Sequence, residues 1–504
     1  MSTSPVPETD PYTILGITPD VPFAEVRAVH RRLVRELHPD VNPSARERFD
    51  AVQAAFEVLR ARNARDKSVA PTPEQSHNHD VAATTTPTPD RPALEMVIMP
   101  GRDKLLVQPR AQMLYVLLEL HLSQHVGHSS QPLNLALVLD HSSSMQREDK
   151  LQRLKDAVVR IIDMMSPRDY LSIVTFGDRA TLLLPNGPLG SKRAAREALD
   201  GIRCRGGTEI STGLRAGLQE LQTHSAKLIS QMILLTDGQT YGDEDICLEL
   251  ATQSSQRQVQ ITALGLGDDW NSTLLDELAL RTGGHSDYVQ SAEQLARVFE
   301  DQLRMLQLTA LRNVQMTINP EASSRLLRAT WVSPGIKPLP VANEAPTAAQ
   351  PVHLELGRMS SDREYRLLLE FVVASRSPGQ LDVADVVFTY DVPALDLENS
   401  TSTGRISTMF VERWESEPSV HIRVHDALRK ITAHRLQEQA MLAIQEGQTQ
   451  KGTASLRTAA KHLEAAGSPE LAKLALAEAD RVERQGQAQA GNMKRIIYGT
   501  RGLG

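Results

Sequence analysis

The chain has 504 residues, of which 40% are hydrophobic, and a formal net charge of −7 at neutral pH. A chain of this length is expected to form several domains, because single hydrophobic cores stop growing beyond about 250–300 residues. The negative charge excludes a general attraction to nucleic acid or anionic membranes, and no dense basic run reverses it locally. The sequence shows no signal-peptide pattern and no apolar window long enough to span a bilayer, and it contains only Cys204 and Cys247. These features predict a soluble protein of a reducing, bacterial-type cytoplasm.

The N-terminal segment, residues 8–66, has the pattern of a small helical unit. Apolar residues recur at helical spacing in FAEVRAVHRRLVREL and again in RFDAVQAAFEVL, which predicts an antiparallel pair of helices. The connecting loop, HPDVNPS, leaves His38 and Asp40 as exposed groups on a turn stiffened by Pro39. Arg27, Arg31 and Arg35 form a basic stripe on the first helix, which taken alone is more typical of a solvated face than of a docking surface.

Taken together, DPYTILGI, the basic helix, HPD and the second helix resemble the J domain of DnaJ-type co-chaperones. The resemblance covers roughly the first 65 residues and implies an all-α domain that docks on a DnaK-type chaperone and stimulates its ATP hydrolysis. The docking residues that it implies are His38, Pro39, Asp40, Arg31, Arg32 and Arg35. Neither a glycine/phenylalanine-rich segment nor a cysteine-rich zinc domain follows in the sequence, so client choice is expected to come from the rest of the chain.

The middle of the chain has the pattern of one domain inserted into another. Residues 67–92 are rich in proline and threonine and are predicted to be a disordered, extended linker. Residues 131–305 alternate continuous apolar strands with helix-patterned segments, which is typical of a doubly wound parallel sheet. The strand-like runs in 93–130 are too few to close a sheet, and further runs occur in 306–415. We therefore predict a β-sandwich, built from 93–130 and 306–415, that carries the α/β domain as an insertion.

The C-terminal part of the chain is predicted to be helical. Between residues 416 and 485, apolar positions recur at helical spacing, and glycine or proline marks the turns. No repeat of fixed period occurs, which disfavours a solenoid. We predict a small helical module followed by a tail at 486–504.

Oxygen-bearing side chains follow two apolar strands and one glycine pair of the α/β domain. Asp140 ends LNLALVLD, with Ser142 and Ser144 at alternate positions after it; Thr208 follows two glycines, and Asp237 follows QMILLT. Ligands bind at the carboxyl ends of strands in such sheets. Taken singly, an aspartate or threonine here is more often a helix cap. Together, two carboxylates and several hydroxyls without histidine or thiolate fit Mg²⁺ or Mn²⁺.

The D-x-S-x-S turn, the later threonine in a glycine-rich loop and the T-D-G turn resemble the metal-ion-dependent adhesion site of the von Willebrand factor A (VWA) family. This resemblance implies a doubly wound α/β VWA domain with a metal site. The ligands that it implies, direct or through water, are Asp140, Ser142, Ser144, Thr208 and Asp237. Ser143 occupies a position where glycine is common in the family. A cation held by so few protein oxygens can accept a carboxylate from a partner.

The two resemblances predict a non-enzymatic cytoplasmic adaptor. Its J domain is expected to recruit and stimulate a DnaK-type chaperone, while its VWA domain holds a protein partner or client through a Mg²⁺-bridged Asp or Glu side chain. Neither nucleic acid binding nor membrane insertion is expected. Two alternatives stay open: a VWA scaffold for complex assembly with a vestigial J domain, and a metal-dependent hydrolase that uses Ser142 or Ser144. The second has no G-x-S-x-G motif and no histidine placed as a base.

Overall fold

The computed structural model describes residues 10–19, 92–123, 132–222, 228–240, 242–341, 350–414 and 421–503, and, between 21 and 59, residues 21, 25, 26, 29, 30, 32, 33, 37, 48, 49, 51, 52, 55, 56, 58 and 59. The N-terminal unit begins with the short helix α1 (Pro11–Leu15), which ends at Gly16 in the left-handed conformation with φ 68°. Leu15 shares one buried hydrophobic cluster with Val26 from the next helical segment and Phe56 from the following one. Apolar residues at helical spacing therefore build the predicted core of the all-α J domain.

Three strands follow at the start of the sandwich: β1 (Leu94–Pro100), β2 (Lys104–Leu106) and β3 (Gln112–Leu122). β1 and β3 pair antiparallel with each other, whereas β2 lies in the opposite sheet. Three strands distributed over two sheets cannot bury their apolar faces alone, so their remaining partners come from after the inserted domain.

The inserted domain is built on a six-stranded sheet. Its strands are β4 (Leu133–Asp140), β5 (Tyr170–Phe176), β6 (Ala180–Pro188), β7 (Ile229–Thr236), β8 (Gln260–Leu266) and β9 (Ser286–Val289). Its helices are α2 (Lys150–Met164), α3 (Lys192–Asp200), α4 (Ile210–Leu221), α5 (Glu244–Gln256), α6 (Ser272–Arg281) and α7 (Ala292–Gln307). The spatial order is β6-β5-β4-β7-β8-β9, and only the β5–β6 pair is antiparallel.

Hydrophobic side chains cover both faces of this sheet. Alternate residues of β4 point to opposite sides: Leu137 belongs to a cluster with Leu154 of α2, and Val138 belongs to a cluster with Leu214 of α4. Every residue of β4 is buried, as expected for a central strand of a parallel sheet with helices on both faces. The predicted doubly wound architecture is confirmed.

The sandwich is completed by seven strands that follow the insertion. They are β10 (Thr309–Pro320), β11 (Ser324–Ser333), β12 (Lys337–Leu339), β13 (Val352–Ser360), β14 (Tyr365–Val373), β15 (Gly379–Val392) and β16 (Leu397–Val411). The two sheets have the orders β1-β3-β14-β11-β12 and β13-β10-β15-β16-β2. β3 pairs with β14 and β2 pairs with β16, so each sheet contains strands from both sides of the insertion. The predicted split sandwich is confirmed.

Four helices form the C-terminal module: α8 (Ile422–Gln445), α9 (Thr449–Ala465), α10 (Pro469–Gln485) and α11 (Ala490–Arg501). Their shared core is rich in alanine, with Ala433, Ala440 and Ala475 fully buried, which lets the helix axes approach closely. Val424 and Ile431 of α8 also pack on the outer face of the sheet that contains β3. The module is thereby docked on the sandwich. Helix α11 lies within the segment that was predicted to be a tail.

Two contacts fix how the inserted domain sits in the chain. Arg358 of β13 donates from Nη2 to the carbonyl of Ser230 at 2.7 Å and to that of Gln258 at 3.1 Å, next to the amino ends of β7 and β8. From α11, Lys494 Nζ donates to the carbonyls of Asp268 and Trp270 at 2.6 and 2.8 Å. The sandwich therefore contacts the amino edge of the parallel sheet, whereas α11 contacts the loop that follows β8 at the carboxyl edge.

Candidate metal centre

The centre of the sheet contains a topological switch point. β4 and β7 are neighbours, but the chain continues from β4 to β5 on one side and from β7 to β8 on the other. A crevice forms where such strands end. Asp140 is the last residue of β4, and Asp237 follows the last residue of β7. Their side chains enter this crevice from adjacent strands, and both residues are buried, at 0% and 1% exposed.

The serine turn after β4 folds back onto both acids. The Ser142 backbone N–H donates to Asp140 Oδ1 at 2.7 Å, and a short 3-10 helix follows over Ser143–Asp149. The hydroxyls of Ser142 and Ser144 lie 2.9 Å apart, and Ser144 Oγ donates to Asp237 Oδ1 at 2.6 Å. Four of the five predicted ligands therefore form one connected cluster.

Thr208 completes the cluster from the loop that precedes α4. It is buried, and a Cβ added to Gly238 would lie 3.0 Å from its Oγ1, so Thr208 lies against the residue that follows Asp237. Ser143 ties the serine turn to this loop, because its N–H and its hydroxyl donate to the Gly206 carbonyl at 3.1 and 3.0 Å. All five predicted residues are thus brought to one place.

Asp140 lies in an environment that disfavours its ionised form. Burial, and then the nearby Asp237 carboxylate, raise the pKa of Asp140 from 3.8 to about 7. Hydrogen bonds from Thr236 and Ser142 oppose this shift in the pKa but do not cancel it. Asp140 thus lies in a place that penalises its negative charge. A cation placed between the two carboxylates would remove that penalty.

Two residues of the centre were not predicted from the sequence. Lys150, the first residue of α2, places its Nζ 2.8 Å from Asp237 Oδ2, and its side chain is only 11% exposed. Thr236 donates its hydroxyl to Asp140 Oδ2 across the strand pair. A hydroxyl directly before Asp237 at a strand end was a usable signal for Thr236. Lys150 gave none, since a lysine at the start of a helix is typical of a solvated surface.

The donor set fits a divalent cation that prefers oxygen. Within the described residues, no group of three or more His, Cys, Asp and Glu side chains is placed to hold a metal. The centre instead combines two carboxylates with three hydroxyls, and hard cations such as Mg²⁺ and Mn²⁺ accept such ligands together with water. The paired buried acids and the convergent hydroxyls are the observations that support this fit.

The predicted chaperone-docking residues are only partly described. Arg32 lies on a helical segment and is exposed, as docking requires. The others, His38, Pro39, Asp40, Arg31 and Arg35, lie outside the described residues.

The hydrolase alternative gains no support from the geometry of the centre. Among the hydrogen bonds of the described residues, none joins Ser142 or Ser144 to a histidine that would act as a base. The neighbouring His141 is buried, and its Nδ1 has no hydrogen-bond partner within that part of the chain.

Three family models match the chain. The von Willebrand factor type A domain matches residues 134–301, and the DnaJ domain matches residues 10–67. The C-terminal helices, residues 422–504, match the Sll0103-like C-terminal alpha-helical domain. The first two matches confirm both resemblances seen in the sequence.

Known relatives extend these matches over most of the chain. The protein sll0103 of Synechocystis sp. is 30% identical over 334 residues, which cover 66% of this chain and 78% of the relative. The chaperone protein DnaJ of Tropheryma whipplei is 50% identical over 50 residues, 10% of this chain and 14% of that protein. A von Willebrand factor type A structure from Catenulispora acidiphila, at 17% identity, superposes with a TM-score of 0.68 and covers 81% of this chain and 96% of its own. That likeness shows the shared fold. In the described part of the chain, no helix has the length and apolar character needed to cross a membrane.

Proposed function

The chain belongs to the family of VWA proteins that includes sll0103, and because a DnaJ domain precedes its VWA domain, we propose that it is a co-chaperone adaptor. The J domain implies a DnaK-type partner, and the VWA domain implies protein interactions. No enzyme family is indicated by the matches. In this proposal the J domain recruits and stimulates the chaperone in the cytoplasm, and the VWA domain holds the protein on which the chaperone acts.

The convergence of two buried acids and three hydroxyls at the switch point carries this proposal. Asp140, Ser142, Ser144, Thr208 and Asp237 are proposed to hold Mg²⁺ or Mn²⁺, directly or through water. A bound cation supplies a coordination position that an Asp or Glu side chain of a partner can fill. The chain's own part is to hold the hydroxyls in place through the Asp140, Asp237 and Gly206 hydrogen bonds.

The metal site is tested with the metal alone. We expect Mg²⁺ to raise the free energy of unfolding of the full chain, by about 2.7 kcal/mol at a concentration about a hundred times its Kd. Asp140→Ala and Asp237→Ala are expected to remove this gain. Asp156→Ala is the matched control, because Asp156 is exposed on α2 and contacts only Gln152 in the hydrogen bonds of the described residues. Equal stabilisation of Asp140→Ala and the natural chain by Mg²⁺ would refute the site.

The partner half of the proposal is tested by capture from the native lysate. Proteins that bind the full chain in Mg²⁺, but not in chelator and not with Asp140→Ala, are the expected partners. Capture that persists in chelator would contradict a metal-bridged contact.

The chaperone half is tested by ATP turnover of a DnaK-type chaperone. We expect the natural chain to stimulate turnover, Asp40→Asn to lose the stimulation, and Glu25→Gln, an exposed change on the neighbouring helix, to retain it. No stimulation by the natural chain would favour the alternative of a VWA scaffold with a vestigial J domain.

A further inference from the structure

Lys150 places its ammonium group beside the candidate metal ligands. Its Nζ and Asp237 Oδ2 are 2.8 Å apart, and the side chains are 11% and 0% exposed, so water screens this charge poorly. The ammonium is also held by its surroundings. Gly267, in the loop after β8, approaches it so closely that an added Cβ would lie 3.2 Å from Nζ, and Gly267 has a φ of 75° that favours glycine.

The two oxygens of Asp237 face different groups. Oδ1 accepts the Ser144 hydroxyl at 2.6 Å, and that hydroxyl contacts Ser142 Oγ at 2.9 Å. Oδ2 faces Lys150. The hydroxyl ligands therefore lie on one side of the Asp237 carboxylate and the ammonium on the other. Ser142, Ser144 and Asp237 would therefore hold a cation while Lys150 stays paired with Asp237.

This arrangement decides the charge of the centre. The charges of the two carboxylates are cancelled by a divalent cation. The Lys150 ammonium then adds one excess positive charge to the centre. We propose that Lys150 is a fixed internal cation that weakens metal binding and makes metal binding depend on an anionic group of the partner. This inference rests on the proposed metal site. The partner's carboxylate restores neutrality, so metal and partner each strengthen the binding of the other.

A purely structural role for Lys150 predicts the opposite sign. If Lys150 only orients Asp237, removing the ammonium leaves the carboxylate less ordered and the metal binds more weakly. If Lys150 repels the metal, removing its charge strengthens metal binding. The sign of the change in affinity therefore separates the two roles.

The test is calorimetric titration of the full chain with MgCl₂ and with MnCl₂. We expect Lys150→Met and Lys150→Gln to bind either ion about tenfold more tightly than the natural chain, by loss of charge repulsion. Lys150→Arg keeps the charge and is expected to stay within about twofold. Lys150→Gln retains a hydrogen-bond donor toward Asp237, so it carries the test if Lys150→Met does not fold. Equal or weaker binding by the neutral variants overturns the proposal.

A second measurement addresses the anionic partner, with sodium acetate as the probe and sodium chloride at equal ionic strength as its control. Acetate is expected to strengthen Mn²⁺ binding in the natural chain more than in Lys150→Gln, and an equal effect in both overturns that half of the proposal. If the natural chain and every variant bind no metal, the proposed metal site itself fails. If the natural chain binds metal and the neutral variants bind no better, only the role of Lys150 fails.

Discussion

The VWA domain contains two acidic clusters, one buried and one partly buried, whose charges are balanced in opposite ways. At the carboxyl edge of the sheet, Asp140 lies beside Asp237, and burial together with that second carboxylate raises the pKa of Asp140 to about 7. On α6, burial also acts to raise the pKa of Asp276, but two 2.8 Å hydrogen bonds and the charge of Arg501 outweigh it, and the pKa is lowered. Tyr498 adds a further hydrogen bond to Asp276 at 2.8 Å.

The difference in charge partners distinguishes Asp276, an acid with a structural role, from Asp140, a candidate metal ligand. Asp276 accepts hydrogen bonds from Ser286 of β9 and from Tyr498 and Arg501 of α11, so its charge fastens the C-terminal module to the VWA domain. Asp140 has a second acid as its neighbour and, among the described residues, no cation bonded to it. Lys150 offsets one of the two negative charges by pairing with Asp237, but burying the other charge costs free energy unless a further positive group binds. The unbalanced cluster is therefore the one to test for a ligand.

The largest expected effect comes from breaking the balanced cluster. Asp276→Ala removes both hydrogen bonds that Arg501, whose side chain is 19% exposed, donates to a carboxylate, and leaves it with Glu438 at 3.8 Å. We expect the free energy of unfolding to fall by about 3 kcal/mol, with Mg²⁺ affinity unchanged. Urea denaturation measures the first quantity and calorimetry the second.

The matched control for that change is Glu277→Ala on the same helix. Glu277 pairs with Arg281 in an exposed contact, so its loss should cost less than about 0.5 kcal/mol. Equal losses for Asp276→Ala and Glu277→Ala would mean that the balanced cluster does not fasten α11.

The next effect is a dependence on pH that has opposite signs in the two clusters. In chelator, Asp140 takes up a proton on folding between its unfolded pKa of 3.8 and its folded pKa of about 7. Its contribution therefore lowers the free energy of unfolding as pH rises through that interval, and the loss is complete above pH 7. Asp276, with a lowered pKa, contributes stability that is present at neutral pH and lost only as pH falls below about 4.

Urea denaturation in chelator, at pH values from about 5 to 8, tests the first of these signs. Asp140→Asn should remove the decline in stability that the natural chain shows as pH rises. The same decline in both proteins would show that another group is responsible.

The smallest expected effect comes from Ser143, the intervening serine of the turn after β4. Ser143→Gly removes the hydroxyl that donates to the Gly206 carbonyl and adds backbone freedom. We expect a loss of about 0.5–1 kcal/mol in the free energy of unfolding and less than about a twofold change in Mg²⁺ affinity. Ser142→Gly, which removes a proposed ligand, should instead weaken Mg²⁺ binding strongly. A large effect of Ser143→Gly on the metal would show that turn geometry, more than ligand chemistry, controls the site.

Much of the fold was predictable because its central strands are apolar throughout. Every residue of Leu133–Asp140 is buried, and such a run indicates a covered parallel strand without further information. The split sandwich followed from a shortage of strands before the insertion. The strands Ala180–Pro188 and Leu397–Val411 escaped the sequence analysis, because both are half-exposed and LENSTSTGRISTMFV is mostly polar. Helix α11 was not predicted, because its segment is short and is separated from the preceding helix, which ends at Gln485.

The residues of the candidate site that local sequence patterns mark were predictable. Local spacing after one apolar strand marks Asp140, Ser142 and Ser144. A glycine pair marks Thr208, and the end of a second apolar strand marks Asp237. That these residues hold a metal stays a prediction. Lys150 was not predictable, because its role depends on which oxygen of Asp237 it meets in three dimensions. Charge balance around a site is a property of the folded contacts, and sequence patterns do not contain it.

The split sandwich has a consequence for the order in which the chain can fold. The hydroxyl of Ser402 donates to the carbonyl of Leu94, 308 residues earlier in the chain. At a synthesis rate of about 5–20 residues per second, the first sandwich strands leave the ribosome tens of seconds before those partners. The VWA domain is complete within that interval and brings its own two ends together, which shortens the loop that the sandwich must close. We therefore expect folding to proceed from the inserted domain outward, with the paired strands β1 and β3 lacking their neighbour β14 until translation supplies it.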